Sequence, residues 1–153
     1  MQYRLTLAAP EEQDWLDELR RAVYESLFIA TWGKWDEDRH LRHFAQCWQK
    51  GNISTVEIEG ERVGMIQLLE NDDVVEVGEI QIQPSHQGRG IGSRLLRDTM
   101  AQAHVRGKGV VLSAGLQNLR AVNLYERLGF KHTSQSETHF HMASLPKARQ
   151  CQQ

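Results

Sequence analysis

Cysteine, proline, long apolar runs and any excess of charge are all scarce in this chain. It has two cysteines, Cys47 and Cys151, with no CxxC motif between them. That excludes a disulfide framework, leaves a Cys47–Cys151 bridge as the minor alternative, and points to a reducing cytoplasm. Three prolines and no Pro/Ser-rich tract leave no linker, and no internal repeat or low-complexity segment occurs. No apolar run approaches the roughly 20 residues needed to span a bilayer. The start, Met1-Gln2-Tyr3-Arg4-Leu5, lacks the apolar core of a signal peptide. With 18 basic and 20 acidic residues the net charge is -2, which argues against a general nucleic-acid or anionic-membrane partner. What is present, 153 residues of ordinary hydrophobic content, suits one globular domain over residues 1–153.

Periodicity then orders the elements. Tyr3 to Ala8 alternates as a first strand. Pro10 with Glu11, Glu12 and Asp14 opens a helix, in which Trp15, Leu16, Leu19, Val23 and Leu27 recur at helical spacing until Gly33. Asp36 can cap a second helix, with Leu41, Phe44, Cys47 and Trp48 on one stripe. From Gly51 the period falls to two, and residues 52 to 83 read as an antiparallel meander. Ile91, Leu95, Leu96, Met100 and Ala103 mark a third helix ending at Gly107. Val110 to Leu112 is a short strand, expected parallel to Ile80–Gln83 through a right-handed crossover. Asn118 starts a last helix that Gly129 ends, and Phe130–Ser134 with His139–Leu145 close the fold. The fold class is α/β of the α+β type. It has a mixed, mostly antiparallel central sheet of about seven strands, with helices on both faces.

The third meander strand carries a conflict of phase. Val75 and Val77 place apolar side chains at odd positions, whereas Ile80 and Ile82 place them at even ones. One extra residue near Gly78-Glu79, a β-bulge, repairs this and puts Glu76, Glu79, Gln81 and Gln83 on one face. Such a row is either a plain solvent-facing edge or part of a site.

Gln87-Gly88-Arg89-Gly90-Ile91-Gly92 follows that strand and opens the third helix. The first amides of a helix have no partner inside it, and its dipole favours negative charge there. This is the make-up of a phosphate site. A Walker loop needs Gly-Lys-Ser/Thr, but here Ser93-Arg94 follows. A Rossmann fingerprint needs a third glycine, yet Ser93 and Leu95 stand at the two candidate positions.

Gln87-x-x-Gly90-x-Gly92 resembles the Gln/Arg-x-x-Gly-x-Gly/Ala signature of GNAT-type N-acetyltransferases. Ile80-x-Ile82-x-Pro84 resembles the strand before that loop in the family. Asn118-x-x-Ala121-x-x-x-Tyr125-x-x-x-Gly129-Phe130 resembles the family's final helix and strand. The likeness runs from about residue 52 to 145, and one GNAT domain is expected.

The resemblance implies acetyl-CoA as co-substrate. Amides of Gln87, Gly88, Arg89, Gly90, Ile91, Gly92 and Ser93 are implied for its pyrophosphate, with Arg89 or Arg94 adding charge. Backbone groups of Ile80, Ile82 and Gln83, opposite Val111-Leu112, are implied for its pantetheine arm. Asn118 matches the cofactor-contacting asparagine, and is equally a plain N-cap. Tyr125 matches the general acid that protonates the leaving thiolate; a phenol near ~10 can donate to a thiol near ~8.5. An amine near ~10.4 must lose a proton before it attacks, so a base is needed. Glu79 is the first candidate and Glu76 the second, with the amide of Ile82 or its neighbour on the same strand facing the oxyanion.

The family binds its acceptor beside the first two helices, where Trp32, Trp35 and Asp36 can meet a cationic amine. They can equally be a helix turn, with Asp36 as cap. His139 and His141 share a side of the last strand, where one can line the acceptor pocket. No spacing completes a metal site, so no metal is expected. His40 and His43 are expected in solvent. A non-catalytic acyl-CoA-binding module is the alternative to an enzyme, and a homodimer stays open.

Overall fold

The element order is β1 (Arg4–Leu7), α1 (Gln13–Trp32), α2 (Glu37–Lys50), β2 (Ile53–Ile58), β3 (Glu61–Glu70), β4 (Val74–Ile82), α3 (Ile91–Val105), β5 (Gly109–Gly115), α4 (Leu119–Arg127), β6 (Lys131–Gln135) and β7 (His139–Ser144). The computed structural model describes residues 2–147; Cys151, and with it any pairing to Cys47, lies outside the described residues. The strands form one seven-stranded sheet in the order β1-β2-β3-β4-β5-β7-β6. β1–β2, β2–β3, β5–β7 and β6–β7 pair antiparallel, and β4–β5 pair parallel. No helix among the described residues is long and apolar enough to cross a membrane.

The chain divides into two compact units. One holds residues 1–67 and 79–91, the other 68–78 and 92–153. In the first, a helical stripe on α1 meets one on α2 over the sheet. Leu16, Leu19, Phe44, Ile53 and Met65 are buried there, with Trp15, Val23, Cys47 and Trp48 packed against them. Such burial is worth about 1.5–3 kcal/mol for each large apolar side chain. Gly64 lets β3 approach β4 closely, because a Cβ there would stand 2.3 Å from the Gln81 carbonyl oxygen. In the second unit, Val75, Leu95, Leu96, Val110, Leu112, Val122, Phe130 and Met142 are buried.

Two expectations need correction. Leu41 is 45% exposed, and His40 takes its place on the inward stripe with no exposure at all. β5 does pair parallel with β4, but at the opposite end from Ile80–Gln83. The ladder is Val74↔Gly109, Val75↔Val110 and Glu76↔Val111, so Val111 stands inside it. The anchor is local: the Gly109 amide donates to the Asp73 carbonyl at 3.1 Å, and the Lys108 ammonium donates to the Asn71 carbonyl at 2.7 Å. These bonds bind the start of β5 to the turn before β4. β4 itself spans Val74–Ile82 and carries both the odd-numbered valines and the even-numbered isoleucines. Register shifts lie between Val56 and Glu57 and between His132 and Ser134.

Candidate active site

The glycine corner is built as the sequence suggests. Gly88 and Gly90 have φ of +77° and +82°, the left-handed region that a side chain resists. A Cβ on either would meet nothing within 4 Å, so the space beside the loop is open. α3 starts at Ile91, and the amides of its first turn have no acceptor within the helix. Gln87 locks the corner to the strand before it, donating from Nε2 to the Ile82 carbonyl at 2.9 Å. The Gln83 amide donates to the Val63 carbonyl at 2.8 Å, and the Gln83 carbonyl accepts from His86. Only the second lone pairs of these carbonyls remain for a ligand. Arg89 is exposed, and Arg94 pairs with Asp98 at 3.2 Å. The open space, the bent glycines and the orphan amides fit a pyrophosphate.

The acidic row on β4 is not uniform. Glu76 is exposed. Gln81 is only 4% exposed and donates from Nε2 to a Glu79 carboxyl oxygen at 3.3 Å. Glu79 itself has intermediate exposure, with its carboxyl bonded to that amide. Loss of water raises that carboxyl above its ordinary range; Arg20, the Gln81 amide and Lys50 pull it part of the way back. A carboxyl raised in this way takes up a proton more readily than an ordinary surface glutamate.

Tyr125 is fixed by the end of α4. The Phe130 amide donates to the Tyr125 carbonyl at 3.0 Å, and the Gly129 amide to the Glu126 carbonyl at 3.1 Å. With Gly129 at φ +101°, this is a Schellman cap, and its apolar contact is the Tyr125–Phe130 ring pair at 5.9 Å. The Gly-Phe that follows the tyrosine therefore holds it in place. Asn118 caps the other end of α4, accepting from the Ala121 amide at 3.4 Å.

The helix junction reads as architecture first. The Asp36 carboxylate accepts from the Arg39 amide at 3.1 Å and caps α2. Trp35 donates from Nε1 to Glu37 at 2.9 Å and stacks on Phe28 at 5.4 Å. Trp32 is 48% exposed, with the Arg39 guanidinium over its ring at 5.1 Å. A cavity of about 350 Å³, lined by Trp15, Glu18, Ala22 and Gln83 among others, opens beside α1. On β7, His141 pairs through Nδ1 with the Ser113 hydroxyl at 2.7 Å, and His139 with the Thr138 hydroxyl at 2.7 Å. No cluster of three metal-ligating side chains occurs among the described residues.

Sequence reasoning missed a buried array on the two helices. Arg20, only 7% exposed, donates from Nη1 to His40 Nδ1 at 2.8 Å. The opposite ring nitrogen bonds to Asp17. His40-Phe44-Cys47-Trp48 has the i, i+4, i+7, i+8 spacing of an inward stripe, which is the signal that places His40 inside.

The comparisons agree with this geometry. Residues 12–130 match the acetyltransferase (GNAT) family. The chain belongs to that family. It is 35% identical over 83 residues to an uncharacterized N-acetyltransferase of Methanocaldococcus jannaschii, covering 49% of this chain and 37% of that protein. It is 45% identical over 56 residues to the N-alpha-acetyltransferase RimI of Mycobacterium tuberculosis, covering 37% of this chain and 34% of that one. The chain thus spans less than half the length of these curated relatives. Among solved structures, the fold matches PaiA N-acetyltransferase from Thermoplasma acidophilum, crystallised with coenzyme A. The TM-score is 0.71 at 17% identity, over 95% of this chain and 99% of that one.

Proposed function

We propose that this GNAT protein transfers an acetyl group from acetyl-CoA to a primary amine of a small molecule, peptide or protein. The observation that carries the reading is the open glycine corner at the start of α3, in a chain of this family. The coenzyme A held by a protein of the same fold supports the co-substrate, and the N-alpha-acetyltransferase relative supports an amine acceptor.

The thioester supplies an activated acyl carbon and a thiolate leaving group. First-turn amides of Ile91, Gly92 and Ser93, with Arg89, bind the pyrophosphate. Glu79 takes a proton from the acceptor ammonium, directly or through water, and frees its lone pair for attack. A backbone amide near Ile82 faces the developing oxyanion. As the carbon–sulfur bond breaks, the Tyr125 hydroxyl gives its proton to sulfur. Glu76, exposed and in the ladder with Val111, is the weaker base candidate. Trp32 is the exposed aromatic through which an amine can approach. Asp36 and Trp35 support that surface through the cap and the stack already described.

The test is release of free CoA with a panel of amines, wild type against Tyr125→Phe. A loss of about 10²–10⁴ in kcat/KM is expected for the variant, with acetyl-CoA binding retained. Tight acetyl-CoA binding with no turnover on any amine would instead make the chain a binding module.

A further inference from the structure

A guanidinium has five donors and no acceptor, and one that leaves water needs acceptors and a counter-charge. Arg20 is buried, and among the described residues it makes one hydrogen bond, from Nη1 to His40 Nδ1 at 2.8 Å. Because Nδ1 accepts, the ring hydrogen sits on Nε2, which donates to the Asp17 carboxylate. The acids nearby are already engaged. Asp17 serves His40 and stands 3.6 Å from Arg21, and Glu37 is held by Arg21 and by Trp35. No carboxylate among the described residues bonds to Arg20. What stays unspent is the Nε–Nη2 edge, the side that a carboxylate can bridge with two parallel hydrogen bonds. No fully buried side-chain nitrogen or oxygen among the described residues lacks a partner, so this edge is open to solvent.

A row of rings leads to it. Arg20, Tyr24, Phe28 and Trp32 stand four residues apart on α1 and form one ridge. The Arg20 guanidinium carbon lies 5.2 Å from the Tyr24 ring centre, Tyr24 lies 5.7 Å from Phe28, and Phe28 lies 4.9 Å from Trp32. Trp32, at the outer end, is the exposed aromatic at which an amine can approach. The Arg39 guanidinium stands over Phe28 and Trp32 at 5.9 and 5.1 Å. A carboxylate therefore meets a cation at either end of the row.

We propose that Arg20 is an anion subsite for the acceptor: the amine carries a carboxylate, as an amino acid does, and the Nε–Nη2 edge of Arg20 binds it. This rests on the reading of the protein as an N-acetyltransferase. In that reading the phosphates of coenzyme A belong to the glycine corner, so the anion at Arg20 comes from the acceptor. Asp17 and His40 hold the opposite side of the guanidinium and so fix the direction from which the carboxylate docks.

The experiment follows CoA release by the full chain with L-amino acids and β-alanine, each beside its carboxamide. Wild type should use at least one acid with a kcat/KM about ten- to a hundredfold above that of its amide. In Arg20→Gln the acid should fall by about that factor while the amide stays, at an unchanged KM for acetyl-CoA. Arg20→Lys keeps the charge and loses the fork, and should fall between the two. A merely structural Arg20 would lower acid and amide alike. Equal or better use of the amides by wild type overturns the inference and leaves the acetyltransferase standing; an acid preference that survives in Arg20→Gln does the same. If Arg20→Gln does not fold, an undiminished preference in Arg20→Lys overturns it. If no amine releases CoA, the acetyltransferase reading fails, and the Arg20 Nε–H signal of the ¹⁵N-arginine-labelled chain decides. Assigned by its absence in Arg20→Lys, it should shift with the acids and not with the amides, and an unmoved signal overturns the anion subsite as well.

Discussion

Glu70 and Glu79 each stand before two cations, and they titrate in opposite directions. Glu70 is at the surface. Its carboxylate bonds to both guanidinium nitrogens of Arg106 and to the Lys108 ammonium at 2.6 Å, and these direct bonds hold it down to about 2. Glu79 is half-buried; loss of water drives it up, and Arg20 and Lys50 act against that. The number of positive neighbours does not decide the outcome. A surface carboxylate keeps water and gains bonds, so every cation lowers its pKa. A buried one loses its water first, and charges that do not bond to it restore only part of that loss. The first glutamate is a strap between the end of β3 and the end of α3. The second is the group proposed as the base.

The sharpest test of this contrast is turnover. Glu79→Gln should lower kcat/KM by about 10²–10⁴ at pH 7, whereas Glu70→Gln should leave it at the wild-type value. Equal losses would break the comparison. Next comes the packing that encloses Glu79. Gly64→Ala forces a methyl against the Gln81 carbonyl and should cost about 1–3 kcal/mol in urea denaturation. An unchanged midpoint would mean that β3 and β4 part at no cost. Smallest, and most telling in sign, is the pH dependence of stability. Raised above 4.5, Glu79 contributes stability fully below that value and loses it as pH rises through its own titration. Glu79→Gln should therefore gain on the wild type as pH rises through that range. Lowered to about 2, Glu70 contributes above 4.5 and loses that contribution as pH falls towards 2, so Glu70→Gln should gain at the acid end. Thermal melts across pH check both slopes, and 1 M salt should flatten the second far more than the first.

Local chemistry was legible in the sequence, and distant pairing was not. Glycines at 88 and 90, the caps at Asp36 and Asn118, and the Gly129-Phe130 stop act within a few residues of themselves. Each left its mark at the right place. The register of β5 was missed because it depends on Lys108 and Gly109 meeting residues of the turn before β4. His40 was placed in solvent although it stands on the Phe44-Cys47-Trp48 stripe, because a polar ring goes inside only with partners, and Arg20 and Asp17 lie on another helix. No period along α2 announces them. Glu79 was singled out from a flaw in strand phase, whereas the charges that act on it, Arg20 and Lys50, lie on α1 and α2. In the junction, Asp36 was visible as a cap and as a ligand alike, and the cap is the role that its bond to Arg39 accounts for.

Cys47 has a consequence of another kind. Its thiol faces the Gln67 amide oxygen at 3.4 Å, and burial together with the nearby Glu79 raises it to about 12. Only a thiolate exchanges acyl groups with a thioester. A protein that works on acetyl thioesters, as proposed, runs a standing risk of acylating its own cysteines. Burial first, and the negative charge of an ionised Glu79 after it, oppose loss of the proton from this sulfur. A thiol raised this far is a poor acceptor of an acyl group at neutral pH.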